Sequence, residues 1–325
     1  MAKTIISINF LVTILLILPI AAQCQPVEQV IDRSTSPAPS PTIRLIPPIQ
    51  PGDGSDLIDK LLERGFIRVG IWVWPSVEFS PPAFRGVSNA ATGGALNGFE
   101  VDIAHLIADG LGLELELVEA YPPAIISGDW QGQWDIALAS LVPFDQTSKV
   151  TFSRPYGYMP MGILASSNQD DIRSLEQLAN QKVAVLEHSA YQRLLAAPLD
   201  TLTVQAQPLL PALPRDIQPV PISNLAKAIH LLSDTTDPET NEFVAIFGAT
   251  PILQQAVKSR LAVKLLPQAQ IIGFQPLAVG TVPQDGLEVE RLILEIDKIL
   301  ERARRQGTLA EIYVRWYDQD LGQIR

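Results

Sequence analysis

Between Phe66 and Glu119 the hydrophobic period changes from two to that of a helix and back to two, which leaves few folds open to this chain. Ile67, Val69, Ile71 and Val73 alternate with other residues and are all β-branched, so the spacing predicts a strand over Phe66 to Val73. After Asn97-Gly98, the residues Val101, Ala104, Ile107, Ala108 and Leu111 share one helical face, and Glu100, Asp102, His105 and Asp109 the other. Gly110 and Gly112 are expected to stop that helix. Leu113, Leu115 and Leu117 then alternate with Glu114, Glu116 and Glu119, the period of a second strand. Strand, helix and strand within this distance imply a right-handed parallel crossover. Trp134 to Ser140 repeats the strand pattern, and its end belongs at the carboxyl edge of the same sheet, where open α/β folds place ligands.

A second α/β unit follows. Ser174 and Gln177 have the spacing of a capping box for a short helix, and Lys182 to Glu187 reads as a strand. Ser223 is placed to cap a helix carrying Leu225, Ile229 and Leu232. Glu242 to Phe247 is a further strand, and Pro251 opens another helix in its first turn, where proline is tolerated. A strand near Pro276 to Val282 precedes an amphipathic helix, Leu287 to Arg304, ended by Gly307, and a last helix to about Asp318. Six prolines between Ala197 and Pro221 predict an irregular surface excursion. A chain of 325 residues with 47% hydrophobic content has the length for two such units and the means to bury their cores.

The front of the chain is different. Lys3 precedes an apolar run from Ile5 to Leu18, followed by Pro19 and Ala21-Ala22, the pattern of a secretory signal cut after Ala22. The run is shorter than the roughly 20 residues that span a bilayer, which favours a signal over an anchor. Cys24, the only cysteine, has two open readings: an acylated lipoprotein cysteine, with Gln23 where a small residue normally precedes it, or a stray thiol near a new N-terminus. A single cysteine forms no intramolecular disulfide, so stability must come from the core. Pro37, Pro39, Pro41, Pro47, Pro48 and Pro51 make residues 23–56 a linker. Loss of residues 1–22 removes only Lys3 from the charged set and leaves a net charge of −12, which disfavours nucleic acid and anionic membranes as partners.

Four phrases in order then carry a resemblance: Ile67-Arg68-Val69-Gly70-Ile71, Gly98-Phe99-Glu100-Val101-Asp102-Ile103-Ala104, Phe152-Ser153-Arg154-Pro155-Tyr156, and Gly307-Thr308-Leu309-Ala310-Glu311-Ile312-Tyr313-Val314-Arg315-Trp316-Tyr317. Together they resemble bacterial extracellular solute-binding proteins of family 3, of the amino-acid-receptor type. The resemblance implies a two-lobed, type II periplasmic-binding-protein-like α/β fold, each lobe a mostly parallel sheet flanked by helices with a hinge between them. Lobe 1 would comprise residues 57–155 and 272–325, and lobe 2 residues 156–271, with the proline-rich insertion at 197–221. It also implies a periplasmic protein, without cofactor, that passes an amino acid or related small molecule to the permease of an ABC transporter. Its membrane association would be limited to the signal or a lipid on Cys24.

The resemblance further implies an arginine for the ligand's carboxylate six residues before Phe152, but Gln146 stands there, and Pro143 replaces the usual hydroxyl three residues earlier. A neutral amide lacks the charge-assisted fork that makes carboxylate capture strong. The aspartate expected for the amino group falls on Phe247 or Gly248. The remaining candidate ligand-binding residues are Trp72, Trp74, Phe84, Ser140, Phe144, Gln146, His188, Ser189 and Phe247, an aromatic and amide-like set suited to a flat, apolar or cationic ligand. His188-Ser189 is where the resemblance places backbone N–H groups for a carboxylate, although Ser189 is equally a helix cap.

His105, His188 and His230 lie on separate elements without metal-ligand spacing, and no phosphate-binding loop or nucleophile elbow is present, so neither metal nor catalytic residues are expected. Two alternatives remain. One is a sensor or protein-interaction module of the same fold without transport; the other is an enzyme resembling cyclohexadienyl dehydratases, with Glu78 or Glu187 as its acid.

Overall fold

The computed structural model describes residues 48–72, 98–141, 149–168, 172–196, 203–204, 207–208, 213–234, 242–266 and 272–322. The signal, its cleavage point, Cys24 and most of the linker lie outside the described residues.

Helix α1 (Leu57–Arg64) leads through a left-handed Gly65 into strand β1 (Phe66–Ile71), and α2 (Phe99–Leu111) into β2 (Glu114–Glu119). Gly110 does not stop α2. It lies inside the helix because an added Cβ would come within 2.8 Å of the Ile299 side chain, and Gly112, at φ 73°, forms the left-handed cap. Short α3 (Pro122–Ser127) precedes β3 (Ile136–Leu141), and β4 (Thr151–Phe152) precedes the long β5 (Gly157–Ser166). The capping box at Ser174 and Gln177 yields only a 3-10 turn, Glu176–Leu178, whose entry is held by Gln177 accepting from the backbone N–H groups of Arg173 and Ser174.

Next come β6 (Lys182–Leu186), α4 (Ala190–Ala196), β7 (Thr203–Val204), β8 (Gln207–Pro208), β9 (Gln218–Ile222) and α5 (Leu225–Asp234). Two expectations are corrected here. Residues 218–221 are not irregular: they form an edge strand parallel to β6, a place where proline's missing donor is tolerated. Helix α5 is capped by Asn224, whose side chain accepts from the Lys227 N–H, and not by Ser223. Strand β10 (Ala245–Ala249), α6 (Thr250–Lys258), β11 (Val263–Leu265), β12 (Gly273–Thr281), α7 (Glu290–Gln306) and α8 (Thr308–Tyr317) complete the chain.

The strands run in the order β2-β1-β3-β12-β5-β10-β6-β9, with β4 beside β12 and β11 beside β5. β1 is parallel to β2 and β3, and β6 is parallel to β9 and β10, so each half of the sheet has a parallel core. Strand β12 joins the halves: Gly273 to Leu277 pair antiparallel with β5, and Ala278 to Thr281 with β3 and β4. Helices α1, α2, α7 and α8 cover one face of the first half with Leu57, Leu61, Ile103, Ile107, Leu292, Ile296 and Leu309, all buried. Its other face carries Trp130 and Trp134, with ring centroids 5.7 Å apart, and α3's Ile125. In the second half Ile246 and Leu164 pack with α5 and α6, while Ile163 and Phe247 face a separate cluster with Leu178 and Leu194. The first apolar cluster runs unbroken from one half to the other through Tyr156, Met159 and Leu277.

Candidate functional site

Parallel strands share a carboxyl edge, so β1 delivers Trp72, β2 delivers Tyr121 and β3 delivers Ser140 and Leu141 to one edge of lobe 1. In lobe 2, β6 delivers Glu187, His188 and Ser189, and β10 delivers Thr250. The two edges face each other: the rings of Tyr121 and His188 meet edge to face, with centroids 5.7 Å apart and planes at 71°.

Trp72 is half-buried, packed between the main cluster of lobe 1 and the cluster that contains Trp134. Gly70, one step back on the same face of β1, admits the Trp134 ring, which an added Cβ would approach to 2.9 Å. The Ala120 N–H donates to the Ile71 carbonyl at 2.9 Å, so Tyr121 leaves the sheet beside Trp72. Tyr121 lies outside the set of binding residues expected from the sequence, although the rule that marks Trp72, the residue just beyond a parallel strand's end, applies to it equally.

His188 has a left-handed backbone, φ 59°, and its N–H donates to Gln192 Oε1 at 2.8 Å. The Ser189 N–H donates to the Leu186 carbonyl at 3.3 Å. The Ser189 hydroxyl donates to the same carbonyl at 2.5 Å and accepts from the Gln192 N–H at 3.3 Å. The backbone N–H groups of both residues are therefore spent on the protein's own acceptors, and Ser189 seals the start of α4 as a cap.

Phe247 sits on β10 between β5 and β6, only 1% exposed, with its ring 5.3 Å from that of Tyr191. It fills the core of lobe 2 because both flanking strands and α4 enclose that face, and burial there also pushes the Tyr191 phenol well above its ordinary pKa. Trp74, Phe84, Phe144, Gln146 and Glu78 lie outside the described residues. Among the described residues no cluster of metal-ligating side chains is present. No described helix is long and apolar enough to cross a membrane.

The lobes are joined at a tightly held crossing. The Arg154 N–H donates to Asp297 at 2.8 Å, Arg304 donates to the Pro155 carbonyl at 2.8 Å, and the Tyr313 hydroxyl donates to the Tyr156 carbonyl. The Tyr156 hydroxyl donates to buried Glu100 at 2.9 Å, and the Tyr158 N–H to the Leu321 carbonyl at 2.9 Å. Burial first, and then the Glu100 carboxylate, raise the Tyr156 phenol's pKa, which keeps that donor protonated. A cavity of about 360 Å³ lies elsewhere on lobe 1, between Ile49, the C-terminal turn of α2 and α7.

Two lobes, each with a parallel-cored sheet flanked by helices, are the architecture that the resemblance implies. The model of the bacterial extracellular solute-binding proteins, family 3, matches residues 79–319. The chain belongs to that family. A curated relative of this solute-binding protein is a probable amino-acid ABC transporter-binding protein of Haemophilus influenzae, 25% identical over 71% of this chain and 79% of its own length.

Solved structures share the fold. An ancestral arginine-binding protein bound to glutamine matches 79% of this chain and 99% of its own at a TM-score of 0.56 and 23% identity. The ancestral amino acid-binding protein AncCDT-1, a precursor of cyclohexadienyl dehydratase, matches 81% of this chain and 99% of its own at 0.59 and 22%. The substrate-binding protein AbpA of Streptococcus pneumoniae, bound to L-arginine, matches 81% of this chain and 99% of its own at 0.58 and 18%. The family and the curated relative are binding proteins.

Proposed function

We propose that this solute-binding protein captures an amino acid or a related small molecule between its lobes and presents the closed form to the permease of an ABC transporter. The observation that carries the reading is the meeting of the two carboxyl edges at Tyr121 and His188, which makes the space between the lobes a site that closure can enclose. A ligand touching both lobes shifts the open and closed populations by its differential affinity, and that shift is the signal a permease reads. The protein works in the periplasm, exported by the segment ending at Ala22.

Trp72, Trp74, Phe84, Phe144 and Gln146 line the proposed pocket, with the amide and aromatic faces taking the place of the arginine and aspartate expected from the resemblance. The His188-Ser189 turn supports a wall instead of offering N–H groups, because both are already bonded. Phe247 stiffens that wall from behind. The protein releases its ligand unaltered.

The test is a thermal-shift panel on the full chain with L-arginine, L-glutamine, aromatic amines, polyamines and cyclic hydroxy-acids. A ligand at 100 times its Kd adds about 2.7 kcal/mol to apparent stability. A shift with one class, with the compound recovered intact, supports the reading. Silence across the panel favours the interaction module, and conversion of a cyclic acid the enzyme.

A further inference from the structure

Tyr121 and His188 are held in an unusual way for two exposed rings. Tyr121 is 60% exposed, the largest value among the exposed large hydrophobic side chains described, and it belongs to no apolar cluster of lobe 1. Its backbone is nevertheless fixed, since its carbonyl accepts from the N–H groups of Ala124 and Ile125 in the first turn of α3 at 3.0 and 3.1 Å. His188 is likewise exposed, and its backbone is fixed in the left-handed region by the Gln192 side chain. Glycine adopts that region without the crowding a Cβ brings, so a histidine here gives up backbone ease for an imidazole aimed at the other lobe. Each ring stands on a rigid strand end, is left out of its own lobe's core, and finds an aromatic partner in the opposite lobe.

We propose that Tyr121 and His188 form an interlobe latch, a contact that exists only when the edges meet and so sets how far the closed form is populated. The proposal rests on the reading of the protein as a two-lobed binding protein. It adds that part of the closure energy is built into the chain and is present without ligand. A tilted or edge-to-face aromatic pair contributes enough to change a population ratio by about two- to tenfold. The latch residues are thereby affinity determinants that need not touch the ligand: a chain already partly closed gives up less of its binding energy to closure.

The experiment measures interlobe distance in the unliganded full chain. Spin labels go on cysteines introduced as Asp109→Cys in α2 and Lys258→Cys in α6, both exposed, in a Cys24→Ser background. The expected result is a short-distance population in the parent chain that falls about two- to tenfold, relative to the long one, in Tyr121→Ala and in His188→Gly. The double variant should show no further fall, because either change alone removes the contact. His188→Gly also relieves the left-handed backbone, so its thermal stability should hold or rise while closure weakens, a pairing that a purely structural role would not give. Unchanged distance distributions in both single variants, or a parent chain with only the long distance, overturn the latch. Neither outcome depends on which solute binds, so failure of the ligand panel and failure of the latch are read separately.

Discussion

Gly157 begins β5 at the crossing between the lobes, and its replacement by alanine tests whether that crossing is as closely packed as its hydrogen bonds suggest. The residue's backbone is not left-handed, so alanine would by itself stabilise the chain by about 0.4–1 kcal/mol through the unfolded state. The added Cβ would, however, fall on the Tyr313 hydroxyl and lie 2.7 Å from the ring carbon that bears it. Tyr313 is fully buried and donates to the Tyr156 carbonyl, while its ring packs 5.1 Å from that of Phe99, so it has nowhere to retreat. Overpacking costs about 1–3 kcal/mol. Loss of the Tyr313 hydrogen bond costs about 1 kcal/mol more.

The net expectation is a loss of about 1–3.6 kcal/mol, or roughly 2–14 °C in Tm at 2–4 °C per kcal/mol for a body of this size. The measurement is urea unfolding followed by tryptophan fluorescence, read as a lower midpoint with an unchanged slope. Tyr313→Phe should not rescue Gly157→Ala, because the ring carbon still clashes. Tyr313→Ala should cost less in the Gly157→Ala chain than in the parent. A Gly157→Ala chain as stable as the parent, or more so, refutes the account of the crossing as closely packed.

Asp135 is 2% exposed and receives both the Arg68 N–H, at 2.7 Å, and the Arg64 guanidinium. Asp135→Ala should therefore cost about 3 kcal/mol by leaving a cation and an N–H without their acceptor, measured by the same unfolding assay. Asp56 serves two helices, accepting from Ile58 in α1 at 3.0 Å and from Arg291 and Leu292 in α7 at 2.9 and 3.3 Å. Asp56→Ala should cost about 2–4 kcal/mol, more than the loss of one cap, and speed hydrogen exchange at the N–H groups of both first turns. The Gly52 N–H first, then the Arg291 guanidinium and the Gly54 N–H, hold the Asp59 carboxyl below its ordinary value of 3.8. A depressed carboxyl contributes stability that is full above its unfolded value and lost as pH falls through the folded one. Residues 50–55 should therefore become protease-sensitive only below about pH 4, and Asp59→Asn should make them so at neutral pH.

The alternation of period two and helical period was enough to place β1, α2, β2 and β3, but it put Glu100 on the polar face of α2, whereas Glu100 is fully buried and bonded by the Tyr156 hydroxyl from the lobe crossing. What the pattern missed depended on partners far along the chain. Gly110 looks like a stop, yet the approach of Ile299 from α7 explains it. Pro219 and Pro221 look irregular, but β6 offers them an edge. The site was legible only in part. Trp72 and His188 follow from the rule that ligands gather at carboxyl edges, and they do reach those edges. Phe247 came from aligning a missing aspartate, a method blind to which face of a central strand the side chain takes, and it lies in the core. Tyr121 was passed over because a tyrosine between an alanine and two prolines carries no periodic pattern.

Lobe 1 takes its elements from distant parts of the chain, with α7 and α8 folding back onto α1 and α2 through bonds such as Leu292 to Asp56, separated by 236 positions. Until α7 and α8 have been synthesised, the sides of α1 and α2 that face them have no cover, and the Arg154 to Tyr158 crossing lacks the groups that hold it. Contacts so far apart form late, because the loop must close before they give any return. A chain that emerges from the ribosome amino end first therefore stays open in lobe 1 for nearly the whole of its synthesis, the condition in which a protein can be threaded through a narrow translocation channel before it folds.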